Sequence, residues 1–435
     1  MNGLLTDLYE LTMSAGYFEA GISHQTATFE LFIRRLPERR SFVIAAGLPQ
    51  VVEYLLGFRF TSEEIDYLRS LTQFARVSAS FFQRLHDLRF TGDLFAVPEG
   101  TLLFAGEPVL TVRAPIMEAQ IPETYLLAAI GFQTLIATKA ARIVHAAGER
   151  AVIEFGTRRA HTPEAGALAG RAAYIGGCIG TSNTLTGFRT GIPVYGTAAH
   201  SWVLAFPSER EAQRRLQELL GPDTVYLIDT YDTLEGARIA ASLGRPLWGV
   251  RLDSGDLIEL SRAVRRILDE AGLVEAKIMA SGDLNEYKIA EIVAAGAPID
   301  AFGVGTELAT SSDAPALGGI YKLVEIEGRY TAKLSPGKVT FPGAKQIYRF
   351  PDHDLVALAN ERVGATGAEP LLRPVIFHGR LLEPLPDAGA ARSRAAESLG
   401  RLPEAWRRLV ETAAPYPVEH SPELKALVEG LRQSA

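Results

Sequence analysis

From Arg150 to about Thr310 the sequence repeats a single unit, a short apolar run followed by a stretch with helical periodicity. The runs are "AVIEF", "PVYG", "TVYLID", "LWGVRLD", "KIMAS" and "IDAFGVG". Helical patterns over 164–175, from 201 onward, and over 233–243, 257–271 and 286–295 lie between them. A strand buried on both faces reads as an uninterrupted apolar run, and parallel neighbours need a helical crossover. The pattern therefore dictates an α/β class on a parallel sheet, either closed into a barrel or left open and doubly wound. Polar residues suited to chemistry follow nearly every run. A barrel brings all those strand ends to one rim, whereas an open sheet gathers only those at its switch point. The expected architecture is an irregular TIM-like α/β barrel over residues 149–317.

The flanks follow another rhythm. "TATFELFIRR" alternates like a strand, 61–71 reads as a short helix, and "TGDLFAVPEGTLLFAGEPVLTVRAP" reads as short strands broken at its turns. A long helical pattern covers 119–147. Beyond the repeats, "GIYKLVEIEGRYTAKLS" predicts a hairpin turning at Glu-Gly, "KQIYRF" another strand, and 384–435 a helical segment. A chain of 435 residues is long for one core. Residues 1–148 and about 318–435 are expected to form a second, discontinuous α/β domain.

Charge and cysteine content narrow the partners. The net charge is −7 and no lysine or arginine run stands apart, which argues against nucleic acid. A small anion held by a few local arginines remains compatible. The single cysteine, Cys178, precludes an intrachain disulfide and a cysteine-based zinc site. The opening residues lack the charged and apolar regions of a signal peptide, and no uninterrupted apolar run suggests a membrane span. A cytoplasmic protein without a membrane partner is the expectation.

Five strand ends hold the candidate chemistry. The first reads Glu154-Phe155-Gly156-Thr157-Arg158-Arg159, a turn followed by two guanidinium groups suited to phosphate or carboxylate. Pairing of either arginine with Glu154 or Glu164 is the alternative. Arg251 and Asp253 share a strand face, and Asp253 suits ribose hydroxyls or a divalent cation. Asp256 belongs at a helix N-cap, with Ser254 as rival. Ser281-Gly282-Asp283 and Gly303-Val304-Gly305-Thr306 are glycine turns whose N–H groups can bind phosphate, although turn geometry alone explains many such glycines. His200 follows "PVYG" on the same rim. Its alternative is a packed histidine bonded to a backbone carbonyl. No second histidine stands at zinc-ligand spacing, so a nucleophile or general base is the role left to it.

Five motifs, in order, resemble the nicotinate phosphoribosyltransferase family. They are the opening "LLTDLYELTMSAGYFEAG" with "ATFELFIRRLPERRSFVIAAGL", then "EFGTRRAH", "YGTAAHS", "VRLDSGDL", and "GVGTELATS" leading to "LGGIYKLVE", over roughly residues 4–350. The segment from about Leu355 carries no matched motif. The resemblance implies a type II phosphoribosyltransferase barrel with a discontinuous second domain, working as a homodimer. It implies transfer of phosphoribose from 5-phosphoribosyl 1-diphosphate to nicotinate, giving nicotinate mononucleotide and diphosphate, the first step of NAD salvage from nicotinate. It also implies ATP as co-substrate with Mg²⁺, coupled through a phosphorylated histidine that corresponds to His200. By the same resemblance Thr197 lies in the pyridine site. Tyr9 stacks on the pyridine across the dimer and Phe155 covers the other face. Arg251 binds substrate, Thr306 contacts phosphoribosyl diphosphate, and Gly282, Gly303 and Gly305 approach phosphate. Arg158 and Asp253 match phosphate- and ribose-binding positions of the related nicotinamide enzymes. Those enzymes carry an aspartate where this chain has Ser182, and serine there favours the acid over the amide.

The rival readings are a nicotinamide or quinolinate enzyme, a sugar-phosphate aldolase or epimerase, and a non-catalytic pyridine-nucleotide-binding barrel. An aldolase or epimerase would need a Schiff-base lysine or a metal-ligand cluster, and Lys277 begins its strand at the wrong end.

Overall fold

The computed structural model describes residues 3–335, 339–364, 368–409 and 414–434. A six-stranded parallel sheet runs in the order Gly180–Thr181, Ala151–Glu154, Ala301–Val304, Lys277–Ala280, Gly249–Leu252, Val225–Leu227. Every residue of Ala301–Val304 and Val225–Leu227 is buried, which is why these runs read as continuously apolar. Helices Pro163–Ile175, Thr233–Leu243, Leu257–Glu270 and Glu286–Ala294 cross between the strands. Each starts on a side-chain cap, from Thr162, Asp232, Asp256 and Asn285 in turn. These caps satisfy amide groups that the first helical turn leaves unpaired, and they fix where each loop ends. Asp256 takes the cap, accepting from the amides of Ile258 and Glu259, and Ser254 does not.

One expected strand is absent. "PVYG" forms only an isolated bridge, Val194 to Thr181, and the strand slot is taken by Gly180–Thr181. The reason is close approach. A Cβ on Gly180 would lie 2.3 Å from the Pro193 carbonyl oxygen and 2.7 Å from the Tyr195 ring, so this chain crossing needs glycine. The following helix, His200–Leu204, starts at His200 itself.

The second sheet is antiparallel and seven-stranded. Its order is Arg329–Tyr330, Gly318–Ile326, Thr26–Arg35, Pro108–Pro115, Asp93–Ala96, Arg373–Phe377, Arg380–Leu381. Late strands thus flank early ones. Thr26–Arg35 lies inside this sheet with nearly all of its residues buried or half-buried, so its sequence alternation does not mark a wet face. Glu30 on it is wholly buried and meets Lys345 Nζ at 2.5 Å. The expected hairpin has a long first arm and a two-residue second arm, turning at Glu327 and Gly328, both with positive φ. "KQIYRF" supplies Lys345–Arg349 to a separate four-stranded sheet with Asp354–Leu358, Glu369–Pro370 and Val418–His420. That last strand interrupts the segment expected to be helical, because Pro415 and Pro417 exclude a helix just before it. Helix Ala388–Arg401 buries Ala388, Ala391 and Ala395 in the core beside the parallel sheet.

The long helical pattern divides at Pro122 into Ile116–Gln120 and Glu123–Ala147. Contrary to the sequence expectation, this stretch is long and apolar enough to cross a bilayer by length and composition. Its apolar residues are used inside the protein. Leu126 and Ile130 pack into the core of the antiparallel sheet, and Ile136, Ala140 and Ile143 into that of the parallel sheet.

Candidate active site

The C-terminal ends of the parallel strands open into a cavity of about 720 Å³. Phe155, Arg158, Ser182, Thr197, His200, Arg251, Asp253, Gly282, Gly303, Gly305 and Thr306 all line it. These residues come from strand ends and loops between residues 155 and 306, and the parallel sheet gathers them at one rim.

Arg251 and Asp253 form the charged floor. Arg251 Nη2 lies 3.2 Å from Asp253 Oδ1, while Nη1 donates to Thr197 Oγ1 and, at 3.4 Å, to the Ala198 carbonyl. The guanidinium therefore ties its strand to the loop before His200. Its Nε is buried without a hydrogen-bond partner among the described residues. Asp253 Oδ1 also accepts from Ser281 Oγ at 2.5 Å. Burial pushes the Asp253 carboxyl up, but the Ser281 hydrogen bond and the Arg251 guanidinium more than offset it and hold the group below its ordinary range. The carboxylate stays ionised.

His200 is not a packed core residue, since 42% of its side chain is exposed. Its Nδ1 is 3.2 Å from Thr230 Oγ1, and its Nε2 is 3.9 Å from Asp253 Oδ2. The ring is held by one nitrogen while the other faces the carboxylate. Arg158 and Arg159, which also line the cavity, are exposed and form no ion pair among the described residues. Glu154, the expected rival partner, is buried and instead accepts from the Gly156 amide and from Thr181 Oγ1. Burial raises its carboxyl above the usual range. Two guanidinium groups are thus left to a ligand.

The glycine turns are demanded by close approach. Gly282 has φ +95°, and a Cβ there would lie 2.1 Å from the Asp253 carbonyl oxygen. At Gly303 a Cβ would meet the Phe155 ring at 2.5 Å, so the absence of a side chain lets that ring lie against the strand. Gly303→Ala is expected to push the Phe155 ring off this seat, an overpacking of about 1–3 kcal/mol. Urea unfolding of the variant reads this cost; unchanged stability would mean that the ring has room to move aside.

Two residues not singled out in the sequence belong to this constellation. Asp229 ends the strand run "TVYLID", the place in its unit that Asp253 holds in its own, and that position was the available signal. Its Oδ2 accepts from the Asp253 amide at 3.1 Å and from Ser254 Oγ at 2.6 Å, while Oδ1 is buried with no hydrogen-bond partner among the described residues. Thr230, the anchor of His200, follows it. Tyr9 lies apart from the cavity. It is on helix Leu8–Glu19, 46% exposed, and burial with the nearby Glu123 and Glu10 carboxylates raises its phenol pKa.

Comparison with known proteins agrees along the chain. Residues 4–131 match the nicotinate phosphoribosyltransferase N-terminal domain, 136–314 the quinolinate phosphoribosyl transferase C-terminal domain, and 345–428 the nicotinate phosphoribosyltransferase C-terminal domain. The last match extends the likeness past the point where sequence motifs stopped. The chain is 44% identical over 445 residues to a nicotinate phosphoribosyltransferase of Mycobacterium tuberculosis (strain ATCC 25618 / H37Rv), covering 100% of this chain and 95% of that one. It is 44% identical over 392 residues to the Bacillus subtilis (strain 168) nicotinate phosphoribosyltransferase, covering 86% of this chain and 79% of the relative. The crystal structure of human nicotinic acid phosphoribosyltransferase superposes with a TM-score of 0.88 at 32% identity, over 98% of this chain and 100% of that one. With its fold, its cavity and its full-length relatives in accord, the chain belongs to the nicotinate phosphoribosyltransferase family.

Proposed function

We propose that this chain transfers phosphoribose to nicotinate in an ATP-coupled cycle in which His200 is the phosphorylated residue. The observation that carries this reading is the meeting of His200, Asp253 and Arg251 in one cavity that Arg158 and Arg159 also line, neither of them ion-paired among the described residues. The transferase reaction, nicotinate with 5-phosphoribosyl 1-diphosphate giving nicotinate mononucleotide and diphosphate, is that of the family and feeds NAD salvage. As the glycosidic bond forms, positive charge develops on the ribose while an anionic diphosphate departs. A site for this step needs cationic groups and amides on the leaving group and a flat seat for the ring. Arg158 with the Gly282 and Gly305 turns fits the first requirement, and Phe155 on Gly303 fits the second. Ser182, where the amide-using relatives carry an aspartate, places no negative charge against the nicotinate carboxylate.

In the coupling step Nδ1 of His200 is engaged by Thr230, which leaves the Nε2 lone pair to attack the terminal phosphorus of ATP. A P–N bond forms, the P–O bond to ADP breaks, and ADP carries away the electron pair. The added phosphoryl charge repels Asp253 and reorganises the His200 loop. Later hydrolysis of the P–N bond returns the imidazole and releases phosphate.

The residues present fit Mg²⁺ held largely by substrate phosphates. Among the described residues no cluster of three or more acidic, histidine or cysteine side chains forms a metal cage, yet Asp253 and the unpartnered Oδ1 of Asp229 stand at adjacent strand ends. One or two carboxylates plus phosphate oxygens is the usual Mg²⁺ arrangement, and the ion would neutralise diphosphate charge. Tyr9, outside the cavity of its own chain, is assigned to the site of a second copy in a homodimer, where its exposed ring would cover the pyridine.

Product formation from nicotinate, nicotinamide and quinolinate, each with and without ATP, tests this reading. Nicotinate should be the substrate used and ATP should stimulate its turnover. His200→Ala should leave slow ATP-independent synthesis and abolish the stimulation. If ATP still accelerated that variant, another group would be the phosphoryl acceptor.

A further inference from the structure

Lys139 lies on helix Glu123–Ala147 with 1% of its side chain exposed. An ammonium so deeply buried requires anionic partners. Its Nζ is 2.6 Å from Glu286 Oε2, 2.9 Å from Asp313 Oδ1 and 3.9 Å from Glu307 Oε2. The placement of these carboxylates is informative. Glu286 opens the helix that follows the Ser281-Gly282-Asp283 turn. Glu307 directly follows Thr306, and Asp313 lies just beyond the same short helix. One amine therefore grips the elements behind both glycine turns of the cavity while lining none of it.

Two arginines complete the cluster. Arg142 Nε is 3.0 Å from Glu286 Oε1, and Arg40 Nη2 is 3.0 Å from Asp313 Oδ1 and 2.9 Å from Ser311 Oγ. Burial pushes the Asp313 carboxyl up, but Arg40 and Lys139 more than offset it, so it stays ionised. The backbone on the loop side is exacting, with positive φ at Gly282, Asp283 and Ser311. Loops in such conformations persist only when their surroundings over-determine them.

We propose that Lys139 is a positioning residue for the diphosphate-bearing substrate, locking the Gly282 and Thr306 turns at a fixed separation from behind. This rests on the reading of those turns as the phosphate cradle. An ångström of drift between two halves of a cradle weakens what both must hold and leaves a ligand held elsewhere untouched. A lysine that only added stability would alter all substrates alike.

The test is Lys139→Met, assayed where circular dichroism shows the variant folded. KM for 5-phosphoribosyl 1-diphosphate and for nicotinate, kcat, and diphosphate binding by titration calorimetry are measured. Affinity for both phosphate ligands should fall about ten-fold, or about 1.4 kcal/mol, with the nicotinate KM changed by less than about two-fold. Unchanged phosphate affinity, or equal losses for both substrates, overturns the proposal. If the single variant does not fold, the charge-balanced Lys139→Met/Asp313→Asn variant cuts the same tie and is judged by the same split. Arg158→Ala separates the two levels of inference. Should it weaken diphosphate binding while Lys139→Met does not, the positioning role alone fails; should neither do so, the reading of the cavity fails with it.

Discussion

Arg251→Met is expected to lower kcat/KM about 100- to 1,000-fold, about 2.7–4 kcal/mol of transition-state stabilisation. The side chain performs two tasks that no neighbour duplicates. It pairs with Asp253, and it bonds Thr197 and Ala198 in the loop that delivers His200. Arg251→Lys should recover little of the loss, because a single ammonium cannot bridge both partners as a planar fork does. The variant should also shift the pH profile. Asp253 is ionised above its folded-state pKa and becomes protonated as pH falls through it. In the native protein that value is depressed, burial being more than offset by Ser281 and Arg251. Loss of Arg251 raises it, so the acid limb of kcat/KM should move to higher pH. Steady-state rates across the acid range decide the matter; an Arg251→Lys enzyme within about three-fold of native activity would show that the fork is dispensable.

Lys345→Met should cost about 3–5 kcal/mol of folding stability at neutral pH, the usual result of orphaning a buried charge. Glu30 is fully buried within the seven-stranded sheet, and Lys345 reaches it from the four-stranded one. Lys345 Nζ also bonds the carbonyls of Phe341 and Gly343, and its own amide donates to Glu30 Oε1. Burial already raises the Glu30 carboxyl despite the lysine. Removing the lysine raises it further, and a raised folded-state pKa means stability that is present at low pH and lost as pH rises. The deficit of the variant should therefore widen from pH 5 to pH 8, by up to about 1.4 kcal/mol per unit. Urea unfolding at the two pH values reads this directly. Glu30→Gln/Lys345→Met, which removes both charges, should be far less destabilised. Equal deficits at both pH values would mean that Glu30 does not titrate in this range.

The reach of the sequence differed between parts of the molecule, for physical reasons. The parallel strands were legible because burial on both faces forces continuous apolar runs, and their following helices because polar capping residues stand at fixed offsets. Asp253 and Arg251 could be placed together because parallel strands deliver their ends to one rim; His200 reaches that rim from a loop, not from the strand expected at "PVYG". The strand Gly180–Thr181 was not legible, since two small residues chosen for a close chain crossing leave no apolar pattern. Lys139 and Glu30 were equally hidden. Each lies in an apolar stretch where its partners come from more than 140 residues away, and pairings of that kind leave no local trace. Asp229 ends its strand as Asp253 does, but in sequence it sits among Thr230, Asp232 and Thr233, which read as turn and helix cap, and its tie to the Asp253 amide exists only in the fold.

The interleaving of early and late strands has a consequence for synthesis. Thr26–Arg35 leaves the ribosome long before Gly318–Ile326, the strand that covers one of its edges. At roughly 5–20 residues per second that edge waits roughly 15–60 s, while the whole parallel sheet is made and can close first. During this interval the nascent chain presents an apolar ribbon with unpaired amides, the kind of surface that recruits other strands. A cell making this protein must shield its first strand until its last third arrives.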